Sequence, residues 1–235
     1  MARILHAMNS PDRKKSYLAI LDLDNTLLRG DSDYLWGCFL VEKNMVDADL
    51  HQAENDRFYE EYEAGVMDIM EFLRFQLEPL QRIPMNVLYK LRSEYLDRYI
   101  EPIITRQARE LVEQHRQRDA ELMIITATNS FITRPIADKF GISHLIATEP
   151  EIIDGQYTGE VSGVPSYREG KVTRLNDWLA ANCVDMKGSW FYSDSYNDLP
   201  LLSMVDHPVA VNPDERLRQH ALDTGWEILV MNPAG

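Results

Sequence analysis

A short apolar run near the amino end of the chain stops at two carboxylates. Residues 18–21 are apolar, and Asp22 and Asp24 follow with only Leu23 between them. A continuous apolar segment of this length is typical of a strand buried on both faces of a parallel sheet. Because alternate residues of an extended chain point the same way, we expect both carboxylates to face one site at the end of that strand. Two like charges so close favour a bound cation, a shifted pKa, or both.

The composition suits a folded protein with a large core. Hydrophobic residues make up 45% of the 235-residue chain, which is enough for one medium domain or for one with a small partner. The formal net charge of −14 leaves no basic surface to attract nucleic acids or anionic membranes, so we expect neither as a partner. No apolar run is long enough to span a membrane. The two cysteines, Cys38 and Cys183, lie far apart, which predicts free thiols and a reducing, cytoplasmic location.

The pattern of apolar residues changes twice along the chain. After Leu28 it predicts helices as far as about Glu101, with apolar residues three and four apart. From Thr105 onwards, helices alternate with short apolar strands, which is typical of a parallel α/β sheet. The Asp154-Gly155 pair predicts a hairpin turn. We expect strands at 122–126, 190–193, 209–211 and 226–230, and helices at 105–118, before Gly141, at 169–181 and from about Asp214.

This order predicts a Rossmann-like parallel sheet flanked by helices, with one all-helical insertion. We assign residues 1–30 and 105–235 to the α/β core and residues 31–104 to a helical cap, since the insertion is far longer than an ordinary loop. We expect the cap to cover the carboxyl edge of the sheet, where it would exclude water and select the substrate.

Polar groups recur where later strands end. Thr126 ends one strand, Lys171 lies in the first turn of a helix, and Asp194 follows another strand, with Asn197 and Asp198 close behind. Carboxyl ends of parallel strands meet at one edge of a sheet, so these groups can converge on Asp22 and Asp24. Each also has an ordinary explanation when taken alone, as a turn residue, a helix cap or an exposed lysine.

In this order and setting, these groups resemble the four motifs of the haloacid dehalogenase-like hydrolase superfamily. The resemblance implies that Asp22 is a nucleophile that attacks phosphorus and that Asp24 is the general acid and base. It also implies an aspartyl-phosphate intermediate. Asp22, the backbone carbonyl of Asp24, and Asp194 would bind Mg²⁺, a hard ion that prefers oxygen ligands.

The same resemblance implies roles for the remaining groups. Thr126, Ala127, Lys171 and Asn197 would hold the phosphate, and Asp198 would orient Lys171 or a metal-bound water. Cleavage of a phosphate ester needs a general acid to protonate the leaving alkoxide. The role that the resemblance implies for Asp24 therefore indicates a phosphatase or phosphotransferase and not a dehalogenase. We hypothesise that neighbouring carboxylates raise the pKa of Asp24.

The position of the helical insertion resembles the phosphoserine phosphatase-like branch of the superfamily. Asp31, nine residues after Asp22, would bind the substrate amine, and Arg74, ten residues before Pro84, would bind the substrate carboxylate. The sequence at 126–129, Thr-Ala-Thr-Asn, departs from the Ser-Gly-Gly of phosphoserine phosphatases. Histidinol phosphate, which has an amine and no carboxylate, is therefore an alternative substrate to phosphoserine.

The leading hypothesis is a Mg²⁺-dependent phosphatase that acts on a small phosphorylated metabolite. A phosphotransferase or phosphomutase would share the nucleophile and pass the phosphoryl group to an alcohol. A non-catalytic phospho-acceptor module is the third alternative, and Asp24, Thr26 and the helical cap disfavour it. The six histidines have no ligand spacing, so no zinc site is expected.

Overall fold

The computed structural model describes residues 15–64 and 66–231. Its main sheet has six strands, all parallel, in the spatial order β3-β2-β1-β6-β7-β8. This confirms the predicted parallel α/β architecture. The strands are β1 (Leu18–Leu21), β2 (Glu121–Asn129), β3 (His144–Thr148), β4 (Pro150–Ile153), β5 (Gln156–Val161), β6 (Trp190–Ser193), β7 (His207–Val211) and β8 (Glu227–Leu229).

The helices lie where the apolar spacing and the capping residues predict them. Asp31, Asp68, Thr105 and Asn129 each accept backbone N–H bonds at the start of a helix, which satisfies donors that have no partner within the helix. The helices are α1 (Ser32–Glu42), α2 (Ala48–Ala64), α3 (Ile69–Arg82), α4 (Met85–Tyr95), α5 (Arg106–Gln117), α6 (Ser130–Lys139), α7 (Glu169–Asn182), α8 (Leu199–Leu202) and α9 (Glu215–Thr224). A π-helical turn (Leu96–Ile100) and 3₁₀ turns at Glu101–Ile103 and Tyr196–Asp198 complete the set.

Strand β1 lies at the centre of the sheet and pairs with β2 on one side and β6 on the other. All of its side chains are fully buried. Ala19 and Leu21 pack with residues of α1, α4, α5 and α6, whereas Leu18 and Ile20 pack with α7, α8 and α9. A strand covered on both faces needs apolar residues at every position, which explains the continuous apolar run.

Strand β2 is longer than predicted. It continues through Asn129, which pairs with Thr148 of β3 after a shift in register. The extension keeps residues beyond Thr126 in an extended conformation, so alternate side chains of this polar stretch reach the same edge of the sheet.

The predicted hairpin at Asp154 and Gly155 is confirmed as the antiparallel pair β4–β5. Both turn residues have positive φ, +51° and +75°, the conformation that favours an Asp-Gly pair. The hairpin packs on α3, so it adds to the contact between the α/β core and the inserted helices.

Residues 31–104, called here the cap segment, contain α1 to α4. The chain leaves the sheet after β1 and returns before α5, and Leu28 and Ile104 form an antiparallel bridge at that crossing. Trp36 and Tyr95 of the cap segment share one apolar cluster with Phe131 of α6. The exact domain boundaries stay a prediction. In the described part of the chain, no helix is long and apolar enough to cross a membrane.

Candidate active site

A cavity of about 720 Å³ lies at the carboxyl edge of the sheet, between the strand ends and the cap segment. Strands β1, β2 and β6 bring residues that are distant in sequence to this one edge. All of the predicted site residues except Arg74 line the cavity: Asp22, Asp24, Asp31, Thr126, Ala127, Lys171, Asp194, Asn197 and Asp198.

Lys171 connects two carboxylates at the floor of the cavity. Its Nζ donates to Oδ1 of Asp22 at 2.8 Å and to Oδ2 of Asp198 at 2.7 Å, and the lysine is only 3% exposed. Burial raises the pKa of Asp22 to about 7, although the Lys171 ammonium acts in the opposite direction. Burial alone would lower the pKa of Lys171, but the charges of Asp198 and Asp22 raise it above its ordinary value. The lysine is therefore a fixed cation beside Asp22.

Asp194 brings a further acidic group to the same place. Burial, followed by the charges of Asp22 and Asp198, raises its pKa well above the ordinary value. The hydroxyl of Thr26, in the loop after β1, lies 3.4 Å from Oδ1 of Asp194. Two buried carboxyl groups, a partly buried third and one lysine leave a site in which an added cation would be stabilised.

The donor set at this point fits Mg²⁺. In the described ranges, no three His, Cys, Asp or Glu side chains form a group that could hold a metal ion by themselves. Asp22 and Asp194 offer two carboxylates beside the backbone of Asp24. Mg²⁺ binds through one or two carboxylates and retains several waters, so a cage of three or more side-chain ligands is not needed.

Both oxygens of the Asp24 carboxyl group are hydrogen-bonded. Oδ1 accepts from the backbone N–H of Ser32 at 2.7 Å, and Oδ2 accepts from the hydroxyl of Thr128 at 2.8 Å. Burial raises the pKa of Asp24 to about 6, the charge of Asp31 adds to the shift, and the two hydrogen bonds oppose it. The hypothesised raised pKa therefore has burial as its main cause, and neighbouring charge is secondary.

Ser193, the last residue of β6, holds the loop that follows the strand. Ser193 donates a hydroxyl bond of 2.7 Å to Oδ2 of Asp198, the oxygen that also binds Lys171. Asn197 lines the cavity while its Oδ1 accepts from Nε of Arg168 at 2.8 Å. The bonds that Ser193 and Lys171 donate to one oxygen of Asp198 fix the direction in which its carboxyl group points.

Of the two predicted substrate contacts, the structure places one in the cavity. Asp31 lies at the start of α1, where its carboxylate accepts N–H bonds of 2.9 Å from Asp33 and Tyr34. Arg74 points away from the cavity, with a side chain that is 59% exposed and an Nε that lies 3.2 Å from Glu160. The structure thus does not bring Arg74 into the cavity: the hairpin that packs on α3 brings Glu160 to this arginine, which pairs with it on the outer surface. The contact of Arg74 with a substrate carboxylate stays a prediction.

Asp33, Tyr62 and Thr128 are among the residues that line the cavity without a role predicted from the sequence. The period of two in a strand would have indicated Thr128, since it shares a face with Thr126. Asp33 is 5% exposed and accepts a 3.3 Å bond from Nδ2 of Asn129. Burial, then the charges of Asp31 and Asp24, raises its pKa well above the ordinary value, and no local pattern on a helix predicts this.

Comparisons with known proteins agree with this geometry. Residues 19–203 match the family described as haloacid dehalogenase-like hydrolase. The chain is 45% identical over 216 residues to a histidinol-phosphatase from Neisseria meningitidis, covering 90% of this chain and 97% of that protein. A solved structure from Bordetella pertussis, described as a protein with unknown function, is 41% identical, with a TM-score of 0.87 over 92% of this chain and 99% of that one.

The fold also resembles that of a more distant protein. A structure described as a phospho-aspartyl intermediate analogue of phosphoserine phosphatase is 17% identical, with a TM-score of 0.69 over 93% of this chain and 95% of that one. At that identity the likeness concerns the fold alone. The family match extends over four of the six strands of the main sheet and includes the ends of β1, β2 and β6. The chain belongs to the haloacid dehalogenase-like hydrolases.

Proposed function

We propose that this chain is a Mg²⁺-dependent phosphatase that hydrolyses a small amino-alcohol phosphate, such as histidinol phosphate, through an aspartyl phosphate on Asp22. One observation carries the proposal: Asp22 lies at the floor of the cavity, is bonded to the buried Lys171, and is two residues from a second carboxyl group. A carboxylate is a weak nucleophile and needs a phosphorus made electrophilic by nearby positive charge. Lys171 supplies part of that charge, and bound Mg²⁺ would supply the rest.

The residues of the cavity provide a nucleophile and a proton donor for two successive displacements. In the first, the Asp22 carboxylate bonds to phosphorus, the bond to the ester oxygen breaks, and Asp24 gives its proton to the leaving alkoxide. In the second, Asp24 takes a proton from water, whose oxygen attacks the phosphorus and releases inorganic phosphate from Asp22. Thr126, the backbone at Ala127, and Lys171 are placed to hold the phosphate oxygens during both steps.

The charge on the wall of the cavity favours a substrate with a cationic group. Asp31 lines the cavity at the start of α1, and a carboxylate there attracts an amine and disfavours a carboxylate. Arg74, the residue expected to bind a substrate carboxylate, is paired with Glu160 outside the cavity. The 45% identical relative is described as a histidinol-phosphatase. These points favour histidinol phosphate over phosphoserine.

The test is phosphate release from histidinol phosphate, O-phosphoserine and p-nitrophenyl phosphate, with Mg²⁺ and with a chelator. We expect turnover only with Mg²⁺, and kcat/KM for histidinol phosphate about 10-fold or more above that for O-phosphoserine. Preference for O-phosphoserine would overturn the substrate assignment, and no turnover of any ester would overturn the function.

The same assay separates the alternative functions. Glycerol added as an acceptor should yield little glycerol phosphate if the enzyme is a phosphatase, whereas a phosphotransferase would form it in proportion to the glycerol. A phospho-acceptor module would accumulate as a stable phosphorylated protein without turnover.

A further inference from the structure

One hydrogen bond joins the cap segment to the loop that carries Asp194. The hydroxyl of Tyr62, on α2, lies 2.7 Å from Oγ of Ser195, a residue 133 positions away in sequence. Ser195 directly follows Asp194, and both Tyr62 and Ser195 line the cavity. This contact therefore links a cap helix to the edge of the predicted metal site.

The hydroxyl of Ser195 also organises its own loop. It accepts the backbone N–H of Asn197 at 3.2 Å and so caps the 3₁₀ turn Tyr196–Asp198. That turn ends at Asp198, whose carboxyl binds Lys171. A displacement of Ser195 would therefore shift the turn and, through Asp198, the lysine that lies beside Asp22.

Tyr62 is suited to hold this position. Burial raises the pKa of Tyr62 to about 12, so its hydroxyl stays protonated well above neutral pH. The pair is partly buried, and a hydroxyl there that loses its partner loses the net value of the bond, which favours an arrangement in which the pair stays closed.

We propose that Tyr62 is a positioning residue whose bond to Ser195 sets the 194–198 loop in its working geometry when the cap segment is seated on the core. Tyr62 acts through Ser195 and not on the phosphate. The inference rests on the proposed phosphatase function. It adds a connection between the position of the cap segment and the chemistry at Asp22.

The test compares Tyr62→Phe, Ser195→Ala and the double variant. We expect Tyr62→Phe to keep its melting temperature and its KM within about 2-fold while kcat falls about 10-fold, as for the loss of one orienting hydrogen bond. Ser195→Ala also loses the turn cap, so its kcat falls at least as far. Adding Tyr62→Phe to it should cause no further loss, because the two residues act as one unit.

A matched control is Tyr99→Phe. Tyr99 donates a 2.6 Å bond to Glu42, which lies in the same cap segment, so this variant loses a tyrosine hydroxyl bond without touching the core. Its kcat should equal that of the wild type. Hydrogen exchange gives a readout independent of activity: the backbone amide of Asn197 should exchange faster in Tyr62→Phe and at the wild-type rate in Tyr99→Phe.

Several outcomes would overturn the proposal. Wild-type kcat and exchange in Tyr62→Phe would show that the bond positions nothing. Losses that add in the double variant would show that the two residues act separately, and a raised KM with unchanged kcat would make Tyr62 a substrate contact. A wild-type protein without turnover would refute the phosphatase function instead, and the exchange comparison would still decide whether Tyr62 holds the loop.

Discussion

The hydroxyl of Thr128 donates a 2.8 Å hydrogen bond to Oδ2 of Asp24. The other oxygen of Asp24 accepts from the backbone of Ser32, at the start of the cap segment. The carboxyl group proposed as general acid and base is thus fixed by one bond from the sheet edge and one from the first cap helix. Its orientation depends on both parts of the fold.

Replacing Thr128 with valine keeps the shape of the side chain and removes the donor. We expect kcat/KM to fall about 10-fold, because Asp24 loses one of the two bonds that orient it. Steady-state kinetics on p-nitrophenyl phosphate measures the effect. Thr224→Val is the control, since its hydroxyl bonds only a backbone carbonyl of α9, at His220. Equal rates in the two variants would contradict a role for Thr128.

Asp31→Asn removes a charge from the cavity wall and retains a side-chain oxygen that can cap α1. We expect kcat/KM for histidinol phosphate to fall about 10-fold or more, because the substrate amine loses its carboxylate partner. The rate on p-nitrophenyl phosphate, which has no amine, should change much less. Equal losses on the two esters would show that Asp31 has only a structural role.

Arg74→Ala tests the predicted contact of Arg74 with a substrate carboxylate. Arg74 is exposed and paired with Glu160, and such surface pairs contribute little to stability. We therefore expect kcat and KM for every ester to stay within about 2-fold of wild type, since the arginine lies outside the cavity. A selective rise in the KM for O-phosphoserine would show that Arg74 reaches the substrate after all.

His115 should make the protein less stable as the pH falls. It is 2% exposed, between the hydroxyls of Tyr17 and Tyr192 at 2.9 Å and 2.7 Å, and burial lowers its pKa from 6.5 to about 4. Between those values the unfolded chain binds a proton that the folded protein does not, so stability is lost as the pH falls below 6.5. The loss reaches about 2 kcal/mol at a pH of about 5.

The measurement is an NMR titration of the His115 ring together with urea unfolding over the same pH range. The ring should remain neutral at a pH of about 5. The free energy of unfolding should decline as the pH falls relative to that of a His115→Gln variant, since the raised pKa values of the cavity carboxyl groups act in the opposite direction in both proteins. A ring that titrates at its ordinary pKa would contradict the buried, neutral state.

Local sequence patterns predicted most of the fold. The apolar run of β1, the Asp-Gly hairpin and the capping residues act over a few neighbouring positions, so they can be recognised without tertiary structure. The convergence of Asp22, Lys171 and Asp194 could be expected because parallel strands end at one edge.

The remaining features depend on contacts between distant parts of the chain. The pairing of Arg74 with Glu160 arises because the β4–β5 hairpin packs on α3, and no helical pattern reveals that neighbour. The bond between Tyr62 and Ser195 likewise crosses 133 positions. Such contacts are set by how the cap segment sits on the sheet, so spacing along the chain cannot predict them.

The most direct test of the proposed mechanism is phosphate release by Asp22→Asn beside the wild type, on histidinol phosphate with Mg²⁺. Asparagine keeps the size of the side chain and removes the attacking carboxylate. We expect activity to fall at least ~1,000-fold, with an unchanged circular dichroism spectrum and with a phosphoryl group trapped at Asp22 in the acid-quenched wild type only. Wild-type turnover in Asp22→Asn would contradict Asp22 as the nucleophile.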